Sequence, residues 1–263
     1  MIRGRVRMIP KEKREVQILE VLKEKGWLST KQIADHFEID FDTARRDVLH
    51  LTSTGQAIRV HGGIMITQGD EVPEFLNRKR ILSPVKTSMA KIAATYVHPN
   101  KLYFIGASTT LVQLCDLLGE VDTTIVTHGI DNAEHLMENK FPRVELLGGI
   151  VDKINRYASS LDTLIRLNDF VFDGVFIGAS RITDEGDITV MGKADAAILR
   201  KAVQRGKKII LVTQNYKFTT KKTSPYVVTN CQQVDVLVTD RGLDPKYVSY
   251  FRDSVVFRTI GNK

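Results

Sequence analysis

Two groups of residues in this 263-residue chain have the types and spacing to do chemistry. The first centres on Arg45 and Arg46, within the run STKQIADHFEIDFDTARRDVLHLTSTGQAIRVHGG from Ser29 to Gly63. A planar guanidinium reaches two acceptors on a guanine edge, or grips a phosphate through paired N–H groups. Thr43 could meet a base or phosphate, while Lys31, Arg59 and His61 are candidates for phosphate contacts. The plain alternative for the arginines is surface ion pairing, Asp42 with Arg46 at i, i+4, worth only about 0.2–0.5 kcal/mol. The second group recurs after short apolar runs: Ser108-Thr109-Thr110, Thr127-His128, Gly148-Gly149 and Lys217. Backbone N–H groups at a strand-to-helix turn attract phosphate. The plain alternative is helix capping by Ser and Thr, with glycine serving tight turns.

The first group needs helices to hold it. Ser29 or Thr30 can cap a helix whose inward side is Ile33, Ala34 and Phe37. Asp40 can cap a second helix, in which Ala44, Val48 and Leu51 share one narrow arc. Asp42, Arg45, Arg46 and Leu49 then face outward. Gly55 stops that helix, and Ala57 to His61 reads as a strand before Gly62-Gly63. An earlier helix is expected over Lys11 to Lys25, with Ile18, Leu19 and Leu22 inward and Lys13, Arg14, Lys23 and Lys25 outward. Trp27-Leu28 reads as a brief strand pairing with the hairpin near Ile58. The whole is a winged helix-turn-helix with an arginine-bearing outer face, the arrangement that enters a major groove.

This run resembles the DNA-binding module of the DeoR family of bacterial transcription regulators. The matching residues are Ile39, Thr43, Arg45-Arg46-Asp47, Leu51, Gly55, Arg59 and His61-Gly62-Gly63. Asp40 stands where that family usually has a capping serine, and Ala44 where it usually has a larger aliphatic. Both keep the physical role.

Thr67 to Pro84 is polar, contains two prolines and the basic run Asn77 to Arg80, and reads as a linker or linking helix. From Lys86 short apolar strands alternate with helices. Helices are expected over Met89–Val97, Leu111–Leu118, Asp131–Glu138 and Ala194–Arg205. Strands are expected over Leu102–Ile105, Thr124–Thr127, Val144–Leu147, Gly174–Ile177, Lys208–Thr213 and Val234–Val238, the last closing the series. Such alternation argues for a parallel sheet covered by helices on both faces, with ligands at the carboxyl ends of the strands. The expected division is 1–65 for the winged module, 66–85 for the linker and 86–263 for the α/β domain.

The α/β part also resembles the effector domain of the DeoR family, through Lys91-Ile92-Ala93, Thr109-Thr110, Val126-Thr127, Gly148-Gly149, Asp173 with Phe176-Ile177-Gly178, Gly186, Lys217-Phe218 and Thr239-Asp240. The resemblance implies the fold of ribose-5-phosphate isomerase and glucosamine-6-phosphate deaminase. It also implies a transcription factor, usually a repressor of sugar-uptake or catabolic genes, sensing a phosphorylated sugar or related metabolite. Departures cluster where that effector should sit. Gly106-Ala107-Ser108 replaces Asp-x-Gly, His128 replaces asparagine, and Ser160 and Arg181 replace glycines. Asp195 replaces glutamate and Gln214 aspartate. A side chain in place of glycine narrows the approach of backbone to phosphate, whereas His128, Arg181 and Arg156 could supply new anion contacts. An altered effector and simple drift in a sugar-phosphate pocket both fit. The competing function is a sugar-phosphate isomerase or deaminase using Asp173, Asp195, Asp240 or His128, although no spacing marks these as a catalytic set.

Net charge is +7 and the isoelectric point near 9.3, which permits binding to an anionic polymer. The excess is not concentrated in the module: residues 1–64 hold 12 Lys and Arg against 9 Asp and Glu, leaving 26 against 22. The arm Arg3, Arg5, Arg7 could track phosphates or be a solvated terminus. Cys115 and Cys231 are expected as reduced, buried small hydrophobes. No apolar run reaches the roughly 20 residues of a membrane span, and no secretory segment is recognisable, so the cytoplasm is the expected compartment. No metal or cofactor is expected. The expected partners are a double-stranded operator, a small-molecule effector and further copies of the chain as a homodimer or homotetramer.

Overall fold

A computed structural model describes residues 9–25, 27–53, 56–60, 63–65, 84–218 and 224–261. These fall into two compact units on either side of residues 66–83. The expected linker, the Arg3-Arg5-Arg7 arm, Gly55, His61 and Gly62 lie wholly or mainly outside the described residues.

The first unit runs α1 (Lys11–Lys25), β1 (Trp27–Ser29), α2 (Thr30–His36), α3 (Phe41–Ser53), β2 (Ile58–Val60) and β3 (Gly63–Met65). Its antiparallel sheet has the order β1-β3-β2. The Trp27 strand therefore pairs with Gly63–Met65 and not with the Ile58 strand, because β3 takes the central place. That position demands glycine at 63, where a Cβ would stand 2.0 Å from the Leu28 carbonyl oxygen. Ile18, Leu22, Leu28, Ile33, Ala44, Val48, Leu51 and Ile64 form the core. Between α2 and α3 the chain turns through Glu38, in the left-handed region at φ 49°, and the Ile39 N–H closes back on the Ala34 carbonyl at 3.0 Å.

One expectation about this core is overturned. Arg14, read as outward, is buried: its Nε donates to Asp47 Oδ2 at 2.6 Å, Nη2 to Oδ1 at 3.1 Å, and Nη1 to the Ile9 carbonyl at 2.8 Å. Position 14 is one turn before Ile18 and two before Leu22, so the same periodicity that buries those two carries the arginine inward. Asp47 lies among Ala44, Val48 and Leu51 on the inner arc of α3 and is itself buried. A buried carboxylate requires a counter-charge, and the guanidinium supplies it in two-point geometry.

The second unit holds a seven-stranded, wholly parallel sheet with the order β15-β14-β12-β9-β4-β5-β6. Its strands are β4 (Leu102–Ile105), β5 (Thr124–Thr127), β6 (Arg143–Leu146), β9 (Gly174–Ile177), β12 (Ile209–Val212), β14 (Val236–Thr239) and β15 (Val256–Thr259). One face is covered from α4 (Pro84–Ala94), α5 (Thr109–Cys115) and α6 (Ile130–Met137), through Met89, Ala93, Leu111, Leu114 and Leu136. The other packs Ile198, Leu199 and Ala202 of α8 (Lys193–Gln204) with Phe104, Phe172 and Leu167. Two small additions interrupt the alternation. One is a hairpin of β7 (Ile150–Asp152) and β8 (Tyr157–Ser159), leading into α7 (Leu161–Arg166). The other is an antiparallel trio of β10 (Arg181–Ile182), β11 (Asp187–Val190) and β13 (Tyr226–Asn230). A short α9 (Pro245–Val248) precedes β15.

The structure corrects three sequence expectations here. The helix placed at Met89–Val97 begins at Pro84 and ends at Ala94, since proline is welcome in a first turn. The helix placed at Leu111–Leu118 starts and stops earlier, at Thr109 and Cys115. The strand series does not close at Val238: β15 adds an edge strand whose exposed side chains weaken its apolar signal. Because β4 is flanked by β9 on one side and β5 on the other, the chain reverses its direction of growth there, the switch point at whose carboxyl ends sheets of this kind bind ligands.

Asp47→Ala, which strands the Arg14 charge, should destabilise the first unit by about 3–5 kcal/mol. Thermal melts of the full chain should show a large early transition in that variant. The double variant Arg14→Met, Asp47→Leu should recover most of the loss; equal losses in both would mean the pairing is not what the core requires.

Candidate nucleic-acid interface and effector site

Both helices of the reading motif are capped by side chains. Ser29 Oγ accepts from the Gln32 N–H at 3.0 Å while Gln32 Oε1 accepts from the Ser29 N–H at 2.8 Å, a complete capping box for α2. Asp40 starts α3: its Oδ1 accepts from the Thr43 N–H at 2.8 Å and its Oδ2 from the Thr43 hydroxyl at 2.6 Å. Those hydrogen bonds, the Thr43 hydroxyl foremost, hold the Asp40 carboxyl below its ordinary range. Thr43 Oγ1 in turn accepts from Arg46 Nη2 at 3.0 Å, and Arg46 Nε reaches the Asp42 carbonyl at 3.4 Å. Arg46 therefore leans on Thr43 and on the Asp42 backbone, and the Thr43 hydrogen is committed to Asp40.

Arg45, Arg46 and Asp42 are exposed on one face of α3, as the periodicity requires. Lys31 is exposed in the first turn of α2, and Arg59 on β2 opposite Ile64. His61 lies outside the described residues. The sequence reading passed over Phe41, which is 56 % exposed at the first position of α3, one turn before Arg45. Leu49, one turn after Arg45, is also exposed, so the outer stripe reads Phe41, Arg45, Leu49. Periodicity hides this residue: Phe41 is three and seven positions before Ala44 and Val48, which puts it nearer the inner arc, yet it stands exposed at the first position of the helix.

At the sheet edge, Ser108 caps α5, accepting from the Thr110 N–H at 3.3 Å. The loop after β9 comes so close that a Cβ on Gly178 would stand 2.9 Å from Ser108 Oγ. Thr109 and Thr110 are buried, and Thr109 Oγ1 accepts from Lys86 Nζ of α4 at 3.3 Å. Thr127 is a structural stitch: its hydroxyl donates to the Ile105 carbonyl at 2.6 Å and accepts from the Gly129 N–H and Asn132 Nδ2.

Two of the unusual residues meet. His128, fully buried at the end of β5, places Nε2 2.8 Å from Asp195 Oδ1 in the first turn of α8. The imidazole stacks on Phe104, centroids 5.6 Å apart, and tilts against Tyr157. Burial, and next the charge of Asp195, pushes the Tyr157 phenol up to about 12. Gly148 and Gly149 form the turn before β7, where the Gly148 carbonyl accepts from Thr163 Oγ1 at 2.5 Å. Gly149 has φ +133°, and a Cβ there would stand 2.3 Å from the Ser159 carbonyl oxygen, so only glycine fits. Ser160 caps α7 through the Thr163 N–H at 3.0 Å.

Other candidates fall elsewhere. Arg156, read as an anion contact, spends its guanidinium on Asp131 at 2.8 Å. Arg181, on β10, and Lys217, in the turn after β12, are buried beyond β9, flanking the bridge between Ile182 and Phe218. Asp240 accepts from the Asn215 N–H at 2.6 Å. Asp173 precedes β9 and so lies at the opposite, amino edge of the sheet, bound to the Leu102 N–H and Lys207. The four groups named for isomerase chemistry are thus not one constellation. Cys115 and Cys231 are buried, and burial raises both thiols well above their ordinary range.

Residues 14–69 match the DeoR-like helix-turn-helix domain, and residues 83–241 match the DeoR C terminal sensor domain. The chain belongs to the DeoR family. It is a DNA-binding transcriptional regulator. Similar relatives include the HTH-type transcriptional repressor GlcR of Bacillus subtilis (strain 168), 30 % identical over 88 % of this chain and 88 % of that protein. Another is the glycerol-3-phosphate regulon repressor of Escherichia coli (strain K12), 25 % identical over 76 % of this chain and 80 % of that protein. Among solved structures, ribose 5 phosphate isomerase A from Neisseria gonorrhoeae aligns at TM-score 0.36 and 16 % identity, over 52 % of this chain and 53 % of that one. No described helix of this DeoR-family chain is long and apolar enough to cross a membrane.

The Asp40 cap gives this regulator an acid-sensitive reading helix. A carboxyl whose folded pKa is depressed contributes stability above its unfolded pKa, and that contribution is lost as pH falls through the folded value. Protection of the first-turn amides of α3, measured against their intrinsic exchange rate at each pH, should fall as pH drops below the ordinary aspartate range. Asp40→Asn, which keeps the acceptor and removes the charge, should flatten that dependence; an unchanged pH profile in Asp40→Asn would assign it to another group.

Proposed function

We propose that this DeoR-family regulator represses genes of carbohydrate uptake or catabolism from the cytoplasm. In this reading, α3 enters the major groove of a double-stranded operator, and a phosphorylated sugar or related metabolite in the sensor unit alters that binding. The observation that carries the DNA half is the outer face of α3, where Arg45 and Arg46 stand exposed and Asp40 and Thr43 orient Arg46. Arg45 and Arg46 contact base edges and phosphate, Thr43 positions Arg46, and Lys31, Arg59 and His61 bind backbone phosphates. Residues 1–65 carry this function, 66–85 connect, and 86–263 sense.

The effector reading is supported by the strand ends around β4 and β5, where Ser108, Thr109, Thr110, Thr127, His128 and Asp195 gather, with Gly148-Gly149 and, farther along, Arg181 and Lys217. The relative named for glycerol-3-phosphate supports a phosphorylated small molecule as the ligand class. Ser108 in the close approach to Gly178, and the His128–Asp195 pair, make the site narrower and more polar than a bare glycine turn. The chain acts by binding, not by turnover, as a homodimer or homotetramer that reads a repeated operator. Coupling requires that the effector favour one of two arrangements of differing DNA affinity.

Phe41 belongs to the same face. Its exposed ring at the helix N-terminus, where recognition helices meet bases, suits the methyl group of a thymine.

Operator binding to the protein's own upstream DNA, titrated with sugar and polyol phosphates, tests both halves. Arg45→Ala and Arg46→Ala should each weaken specific binding by roughly 1–3 kcal/mol. One phosphorylated compound should shift wild-type affinity, and specific binding that none of them alters would overturn the effector half alone. For Phe41, replacing thymines of the bound duplex by uracil one at a time should weaken wild-type binding at one position per half-site. Phe41→Ala should be insensitive at that position; equal sensitivity in both proteins would remove Phe41 from the readout.

A further inference from the structure

Six exposed large aliphatic side chains of the sensor unit lie between residues 146 and 165. Leu146 ends the edge strand β6, Ile150, Val151 and Ile154 lie on the β7–β8 hairpin and its turn, and Leu161 and Ile165 lie on α7. Ile150 is 82 % exposed and Leu161 72 %. Helix α7 is apolar on two sides: Leu164 and Leu167 pack into the core while Leu161 and Ile165, one turn apart, face out. The three elements are fastened together. Arg166 of α7 reaches Glu145 of β6 at 3.1 Å, and Thr163 donates to Gly148 just before the hairpin.

We propose that this surface is where the protein associates with a second copy of itself, the hairpin of each copy lying on α7 of the other about a two-fold axis. Three observations select a second copy. Six large aliphatic side chains, each between 46 % and 82 % exposed, make with their polar rim an area on the order of the ~800 Å² per partner of a standard interface. The rim carries both signs: Lys153 is exposed at the hairpin turn and Asp162 on α7. An isologous contact sets each residue of one element against the other element of the partner copy. Lys153 therefore meets Asp162 twice. A nucleic acid or anionic surface would find no excess of positive charge here, since Asp152, Asp162, Asp169 and Glu145 stand beside Lys153 and Arg166. Finally, β6 is an open edge, and proteins keep such edges charged, short or covered. The pairing of copies rests on the operator reading above only for its purpose; the contact itself needs no DNA.

Sedimentation velocity of the full chain without DNA tests this. Wild type should sediment as a dimer or a multiple of one. The double variant Ile150→Glu, Leu161→Glu should sediment at half that mass with an unchanged melting temperature, its dissociation constant raised by about tenfold or more. Lys153→Glu alone should weaken association, and adding Asp162→Lys should restore it, a readout that does not depend on the fold tolerating buried glutamates. The glutamate variant should still bind a single half-site duplex, which separates loss of association from loss of DNA binding. A wild type that sediments as a monomer at micromolar concentration, or a charge swap that restores nothing, would overturn the proposal.

Discussion

The sensor unit depends on one constraint: β4 must pair in parallel with two strands that come from opposite directions of chain growth. Its register with β5 and β9 brings Ile105, Thr127 and Ile177 to the same edge, so the turns after them converge. Further hydrogen bonds then lock these turns, with the Gly106 N–H donating to the Phe176 carbonyl at 2.9 Å and the Asn132 side-chain Nδ2 donating to the Ile105 and Gly106 carbonyls. Ser108, Thr109, Thr110, Thr127 and His128 follow directly on those paired strands, whereas Arg181 and Lys217 sit on other segments. Gly106 shows how tight the arrangement is, since a Cβ there would press within 2.8 Å of a Leu199 methyl.

The reading module uses a different economy. A small unit has few apolar residues to spend, and it commits one inner position of its recognition helix to a carboxylate. Asp47 can be buried only because Arg14 reaches it from α1, which ties the first helix to the arginine-bearing α3. The rotation of α3 is thereby fixed, and with it the outward direction of Arg45 and Arg46.

Much of this was legible in the residues. Leu102–Ile105, Thr124–Thr127 and Gly174–Ile177 were placed to the residue, because buried parallel strands are short, continuous apolar runs bounded by turn residues. The Asp40 cap and the outward arginines followed from helical periodicity. The misses have physical causes. Arg14 was assigned by charge when its spacing from Ile18 and Leu22 pointed inward. The hairpin at Ile150–Ser159 and the trio around β11 are two- to five-residue strands that break the alternation and carry no period of their own. At the site, the meeting of His128 with Asp195 joins residues 67 apart in sequence, which only the sheet order brings together. The commitment of Arg156 to Asp131 was likewise invisible to spacing alone.

The chain of hydrogen bonds from Asp40 through Thr43 to Arg46 has a thermodynamic consequence. An arginine side chain carries about 2 kcal/mol of rotamer entropy. Here one of the two outward-facing arginines, Arg46, is already hydrogen-bonded in the free protein, while its neighbour Arg45 is not part of that chain. Part of the ordering cost of Arg46 is met when the helix folds, and in the proposed complex with DNA that of Arg45 would be met only on binding. In the proposed complex, two adjacent, chemically identical side chains would thus carry different entropic signatures, Arg46 as a rigid template and Arg45 as an adaptable probe.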